Sequence, residues 1–345
     1  MRDFACDCYW LTGQARLWVS AYTYGAQEWS VLLLTKEGYR DDQAQRVNVA
    51  VEEQNIEVDG LPIRYLSAGE GPPLVLLHGA GDNSLDWRSV MPTLAATHRV
   101  YAPDLPGSPD SAKPAADYSP AYFKRFVASF IDYLNIGRAT YVGNSLGGLI
   151  ALRLALSEPA RVAALVLVDS AGLGHAINPA FTSVNVPGLS EAAIPFWRTS
   201  IGAYQRALGR TALLFAHPTS VPREWLAEQC RLALSPGYLE AHLTALRVLV
   251  SPLGQRDVLV DHLSSLKIPT LVVWGTRDRV FPESHARRAV TCLQEGSLAL
   301  ISDCGHMPHV ECPDRFLAAL NAFLLRRDNV DRWRPEETRG YPGQV

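Results

Sequence analysis

From Asn55 onward, apolar and polar positions settle into a regular rhythm. Ile56-Glu57-Val58 and Ile63-Arg64-Tyr65-Leu66 alternate around Asp59-Gly60, and two alternating runs joined by such a two-residue turn predict a β-hairpin. Short apolar runs without alternation then recur at Leu74 to Leu77, Val100 to Ala102, Ala139 to Val142, Ala164 to Val168, Leu271 to Trp274 and Leu298 to Ile301. A strand that is apolar on both faces is covered on both faces. Between most of these runs lie stretches long enough for helices, such as Pro120 to Leu134 and Leu146 to Ser157. Buried strands alternating with helices predict an α/β domain, a mostly parallel central sheet flanked by helices.

Three regions depart from the rhythm. Residues 172–267 carry the helix-like segments Arg223 to Leu234 and Tyr238 to Val250 but no run suited to a central strand. A compact domain rarely holds a structureless loop of that length, so a helical cap is expected here, inserted into a core of residues 51–171 and 268–326. Residues 1–50 scatter Trp10, Trp18, Trp29 and the run Val31 to Leu34 without a sustained period, and read as an N-terminal extension whose structure the sequence leaves open. Residues 327–345 are charged and rich in Pro and Gly, the composition of a mobile tail.

Composition narrows the choice of partner. The 345 residues are 48% hydrophobic and 19% charged, enough apolar material for one core with an inserted subdomain, which excludes global disorder. A net charge of -3 offers no footing for nucleic acid or an anionic membrane, so a small, largely apolar molecule is the expected partner; the oligomeric state stays open. No run approaches the ~18 apolar residues of a membrane span. Asp7, Gly13, Gln14 and Arg16 break any stretch of signal-peptide character, and the six scattered cysteines form no paired C-x-x-C units. A cytoplasmic protein with reduced thiols and no zinc is expected.

Candidate chemistry centres on Gly143-Asn144-Ser145-Leu146-Gly147, which lies between the run ending at Val142 and a helix-like segment. A strand, sharp turn and helix of this kind hold a serine hydroxyl over the end of a sheet, and the flanking glycines leave room where a Cβ would crowd the turn. A serine nucleophile needs a base, and the base an orienting carboxylate, in the chain order serine, acid, histidine. Leu271 to Trp274 runs into Gly275-Thr276-Arg277-Asp278, and Leu298 to Ile301 into Ser302-Asp303-Cys304-Gly305-His306. Asp169, after Ala164 to Val168, competes with Asp278 as the acid, and His309 competes with His306 as the base. Asp303 sits too near His306 in sequence to support it from the opposite side, and reads as a cap.

In this order, His78-Gly79, Asp104-Leu105-Pro106-Gly107, Gly143 to Gly147, Trp274-Gly275 with Asp278, and Gly305-His306 resemble the α/β-hydrolase superfamily, from about residue 55 to 326. The resemblance implies an α/β-hydrolase fold with Ser145 as nucleophile, His306 as base and then acid, and Asp278 as its carboxylate. It implies an oxyanion hole from the backbone N–H groups of Ala80 and Leu146, with His78 organising that loop, and neither metal nor organic cofactor. Carboxylic-ester hydrolysis is the expected reaction. Gly143 to Gly148 and Trp274-Gly275 also resemble carbon-carbon hydrolases of aromatic catabolism, whereas His78 to Asp82 and Met307 to Glu311 depart from that branch. Asn144, Trp197 and Phe215 are candidate substrate contacts, and the cap residues Phe196, Tyr204 and Trp225 further candidates for the pocket wall, against the alternative that most of these aromatics pack the cap onto the core. Arg198, Arg206 and Arg210 are expected to be solvated surface groups, the alternative being that one of them pairs with a substrate carboxylate.

Two readings of other classes remain. Some relatives use the capped pocket to bind a small molecule without catalysis. Gly79-Ala80-Gly81-Asp82-Asn83-Ser84 after a strand, with Asp104 ending the next, partly imitates a dinucleotide-binding loop, although Ser84 stands where the third glycine belongs.

Overall fold

A computed structural model describes residues 7–9, 17–24, 27–34 and 49–328, with side chains from residue 49 to 326. The predicted hairpin is β4 (Glu52–Val58) and β5 (Leu61–Ala68), whose register pairs Val58 with Leu61 across Asp59 and Gly60, both at positive φ. The six apolar runs become β6 (Pro73–Leu77), β7 (Arg99–Pro103), β8 (Ala139–Asn144), β9 (Val162–Val168), β12 (Thr270–Gly275) and β13 (Gly296–Ile301). Their neighbours in the sheet run β13-β12-β9-β8-β6-β7, all parallel, and β5 and β4 extend the β7 edge antiparallel.

The N-terminal extension, whose structure the sequence leaves open, completes the other edge. It supplies β1 (Asp7–Tyr9), β2 (Leu17–Tyr24) and β3 (Gln27–Leu34), and β3 lies parallel to β13 with Val31 opposite Leu298. Val31 to Leu34 is one more continuous apolar run, without the strand-then-helix rhythm that identifies the others. The tail expected from residue 327 lies outside the described residues from 329 onward.

Continuous apolar strands follow from cover on both faces. Leu74 and Leu76 of β6 pack with Trp87 and Phe316 on one side, and Val75 and Leu77 with Phe130, Leu149 and Trp274 on the other. One face is covered by α1 (Met91–Leu94) with the later α10 (Pro308–Glu311) and α11 (Pro313–Asp328). The other carries α2 (Pro120–Tyr133), capped by Ser119 Oγ accepting from Tyr122 N–H, and α3 (Leu146–Ser157), together with α9 (Ser284–Cys292). Helix α3 is apolar nearly all round and almost wholly buried, as a helix enclosed by sheet and neighbours must be.

Between β9 and β12 the chain forms α4 (Pro179–Thr182), α5 (Leu189–Trp197), α6 (Ser200–Leu214), α7 (Arg223–Leu234) and α8 (Tyr238–Leu249). A separate hairpin, β10 (Val250–Ser251) with β11 (Gly254–Gln255), is its only sheet structure and stays out of the central sheet. These inserted helices bury a small core of their own, including Ile194, Ala203, Leu232 and Tyr238.

Candidate active site

Ser145 stands at the junction of β8 and α3 in a conformation rare for a side-chain-bearing residue, φ 53° and ψ -115°. Its N–H donates to Val168 O, which ties the turn to the neighbouring strand. The two glycines have distinct steric roles: a Cβ on Gly143 would meet the Gly147 backbone, and one on Gly147 would meet Leu77 O. Main chain cannot move aside as a side-chain tip can. Gly147→Ala is therefore expected to lower stability by about 3 kcal/mol, read as a fall of several degrees in Tm; an unchanged Tm would contradict this packing.

Asp278 and His306 come together from the loops after β12 and β13. Asp278 Oδ2 lies 2.9 Å from His306 Nδ1, and both side chains are buried. The other oxygen, Oδ1, accepts from Val280 N–H at 2.6 Å and Phe281 N–H at 3.2 Å, so the backbone fixes the carboxylate. His306 is held by its own N–H donating to Leu214 O at 2.7 Å, with the Phe281 ring edge-on at 5.3 Å. Asn144 closes the set: its amide donates to Val168 O and His306 O, so the residue before Ser145 ties the sheet to the histidine loop.

Apart from Asp169, the other groups considered for this site have other surroundings. His309 is fully buried and stacked on Trp87 at 4.0 Å, neither ring nitrogen finds a partner, and burial, then the His306 charge, pushes its pKa down to about 3. Asp303 meets His217 Nε2 at 2.9 Å and the Arg277 guanidinium at 3.0 Å. His78 accepts from Leu105 N–H at Nε2, which leaves Nδ1–H to donate to Gly79 O, and burial lowers its pKa. Asp104, the acid of the dinucleotide reading, is fully buried and accepts from Ser84 N–H at 2.7 Å, so it faces the loop's own backbone.

Ser145, His306, Asn144, Ala80 and Leu146 all line one cavity of about 610 Å³. Its remaining wall is largely hydrocarbon, with Leu149, Ile177, Leu214, Leu246 and Leu249 beside Phe181 and Phe281. Trp197 and Phe215, the aromatic residues expected at the pocket, are not in that wall. Trp197 packs against the core of the inserted helices, and Phe215 is buried edge-on to Trp225 at 4.8 Å. Phe196 and Tyr204 are about half exposed. Helix α8 supplies the wall instead, because Leu246 and Leu249 are three residues apart and share a helix face.

A family model described as the alpha/beta hydrolase fold matches residues 72–313. The chain belongs to the α/β-hydrolase fold family. An uncharacterized protein of Mycobacterium tuberculosis is 32% identical over 277 residues, 77% of this chain and 79% of that one. The 2-hydroxymuconate semialdehyde hydrolase of Pseudomonas sp. (strain CF600) is 31% identical over 281 residues, 78% of this chain and 92% of that enzyme. Among solved structures, a membrane phospholipase A described as a bacterial virulence factor superposes with a TM-score of 0.68 at 30% identity, covering 81% of this chain and 87% of that one. The protein is an enzyme of hydrolase type, with resemblance to both esterase and carbon-carbon hydrolase branches.

Several polar features of this hydrolase carry no motif. Arg206 and Arg210, expected at the surface, turn inward: Arg206 donates to Tyr238 Oη, and Arg210 meets Asp82 Oδ1 at 2.7 Å. Gln229 also donates to Asp82, Asn83 donates to Glu228, and Tyr238 donates to Gly81 O. The loop carrying Ala80 is thus fastened at three successive residues to α6, α7 and α8. Only Arg198 behaves as expected, in an exposed pair with Glu240.

The thiols also differ from expectation. Cys304 and Cys312 are joined in a disulfide, because the chain turns back through α10 and brings their Cα atoms to 6.6 Å. Cys230 and Cys292 are free. Among the described residues no helix is long and apolar enough to cross a membrane.

Proposed function

We propose that this protein is a serine hydrolase that cleaves a small, largely apolar carboxylic ester through a covalent acyl-enzyme. One observation carries the choice of substrate: Ser145 and His306 open onto a cavity walled mainly by hydrocarbon, whose arginine, Arg210, is already paired with Asp82. An apolar acyl chain gains from displacing water there. An anionic substrate would have to compete with Asp82 for its counter-ion.

In this reading the Ser145 hydroxyl attacks the ester carbonyl as His306 Nε2 takes its proton, and the N–H groups of Leu146 and Ala80 receive the developing oxyanion. The tetrahedral adduct collapses as the carbon-oxygen bond breaks and His306 returns the proton to the leaving alcohol. Water, deprotonated by His306, then releases the acid and regenerates Ser145. Asp278 holds the imidazole tautomer and balances the imidazolium. The inserted helices act as the cap that selects the acyl group.

The relative that hydrolyses 2-hydroxymuconate semialdehyde supports a second reading, carbon-carbon cleavage of a diketo acid. Turnover of p-nitrophenyl acetate and butyrate is to be compared with that of a coloured dienol keto-acid. Dominant ester turnover, with butyrate preferred, is expected; dominant keto-acid turnover would reverse the order.

A further inference from the structure

Asp169, the acid that follows β9, plays no part in the chemistry above, yet the fold brings it to the same place. Its carboxyl, that of Asp278 and the His306 ring each offer an atom within 4.8 Å of the others. The residue is fully buried and holds a positive φ of 42°, rare for a residue with a side chain. Its N–H donates to Val273 O at 3.0 Å, and its Oδ1 accepts from Gly275 N–H at 2.9 Å. Strained backbone and two strand-end hydrogen bonds thus fix one oxygen. The other, Oδ2, accepts from no N–H or hydroxyl group.

A buried carboxylate oxygen without a donor, beside a second carboxylate, is an arrangement that two negative charges do not sustain. One proton between them resolves it. Asp278 already accepts from Val280 N–H and Phe281 N–H and faces His306, so the ionised form belongs to Asp278 and the proton to Asp169. Burial first, and the Asp278 charge second, raise the Asp169 carboxyl well above the usual carboxylate range. The other titratable groups around the pair are Glu311, which adds to the negative field at Asp169, and His285 beside Asp278.

We propose that Asp169 is a positioning residue, a neutral carboxylic acid whose O–H donates to the Asp278 carboxylate and so sets how strongly that carboxylate holds His306. The proposal rests on the hydrolase reading for its kinetic readout only. The amide of Asp169→Asn keeps an acceptor for Gly275 and a donor for Asp278, whereas Asp169→Val keeps the shape and loses both.

The test compares the two variants with the wild-type chain. Asp169→Asn is expected to stay within about threefold of wild-type kcat/KM on p-nitrophenyl butyrate. Asp169→Val is expected to lose about 10- to 100-fold in kcat with little change in KM. With its donor gone, Asp278 favours the imidazolium more strongly, so the acidic limb of kcat/KM against pH moves upward by about half a unit or more in the valine variant and stays in place in the asparagine variant. A second readout needs no substrate: the downfield proton resonance of the His306 to Asp278 hydrogen bond is expected to move in Asp169→Val and to hold in Asp169→Asn. An asparagine variant that falls as far as valine, or shifts that resonance, overturns the proposal even if the valine variant does not fold. A wild-type chain without ester turnover would instead overturn the hydrolase reading, and the resonance would still decide the role of Asp169.

Discussion

Ser145→Ala is expected to reduce kcat on p-nitrophenyl butyrate by about 10⁵-fold or more, with Tm close to that of the unmodified chain. The argument begins with the turn. Ser145 is held at positive φ by Val168 O and by the close passage of Gly143 over Gly147, none of which involves the hydroxyl. Alanine can take the same strained backbone at similar cost, so the variant should fold. What disappears is the only atom proposed to bond to the substrate carbonyl. The proposed oxyanion donors, the N–H groups of Leu146 and Ala80, are main-chain groups and survive, which leaves a residual rate about 10³- to 10⁴-fold above that in water. Burst kinetics with limiting substrate separate this outcome from a slow enzyme: the wild-type chain should release one equivalent of nitrophenolate rapidly, and the variant none. Retention of normal turnover would end the acyl-enzyme proposal.

His306→Ala is expected to fall to the same floor, and the Ser145→Ala/His306→Ala double variant to fall no further. Serine without a base is too weak a nucleophile, and a base without serine has nothing to activate, so either loss removes the whole unit. Independent contributions would multiply instead. His306 is held through main-chain contacts to Leu214 and Asn144 as well as through Asp278, so the loop should keep its course without the imidazole. A double variant at least tenfold below both single variants would show that the two residues act separately.

Much of this fold is legible in the sequence because its strands are covered on both faces. Leu74 to Leu77 or Ala164 to Val168 could be placed without regard to their neighbours, and the strand-end loops holding Ser145, Asp278 and His306 followed in order. Legibility failed where structure depends on partners distant in sequence. Residues 27–34 form a strand through pairing with β13, about 270 residues away, and no local period records that pairing. For the aromatic residues of the inserted helices the sequence leaves pocket wall and packing both open, because size alone does not give direction: Phe215 and Trp225 fill the space against each other, and leucines of α8 face the cavity. Arg210 and Asp82 are 128 positions apart, and Cys304 and Cys312 meet only because a short helix reverses the chain. Asp169 illustrates a subtler limit. In sequence it could only be a rival to Asp278, whereas their proximity in space allows the two carboxyls to share one task.

The fastening of Gly81, Asp82 and Asn83 to α6, α7 and α8 bears on how such enzymes diversify. Grafting the inserted helices of a relative onto this core would strand a buried aspartate without its arginine and an asparagine without its glutamate, directly beside Ala80. Three residues from the core and the helices 120 to 160 positions downstream therefore travel as one module, and a library that recombines one without the other will be enriched in misassembled loops rather than in new specificities.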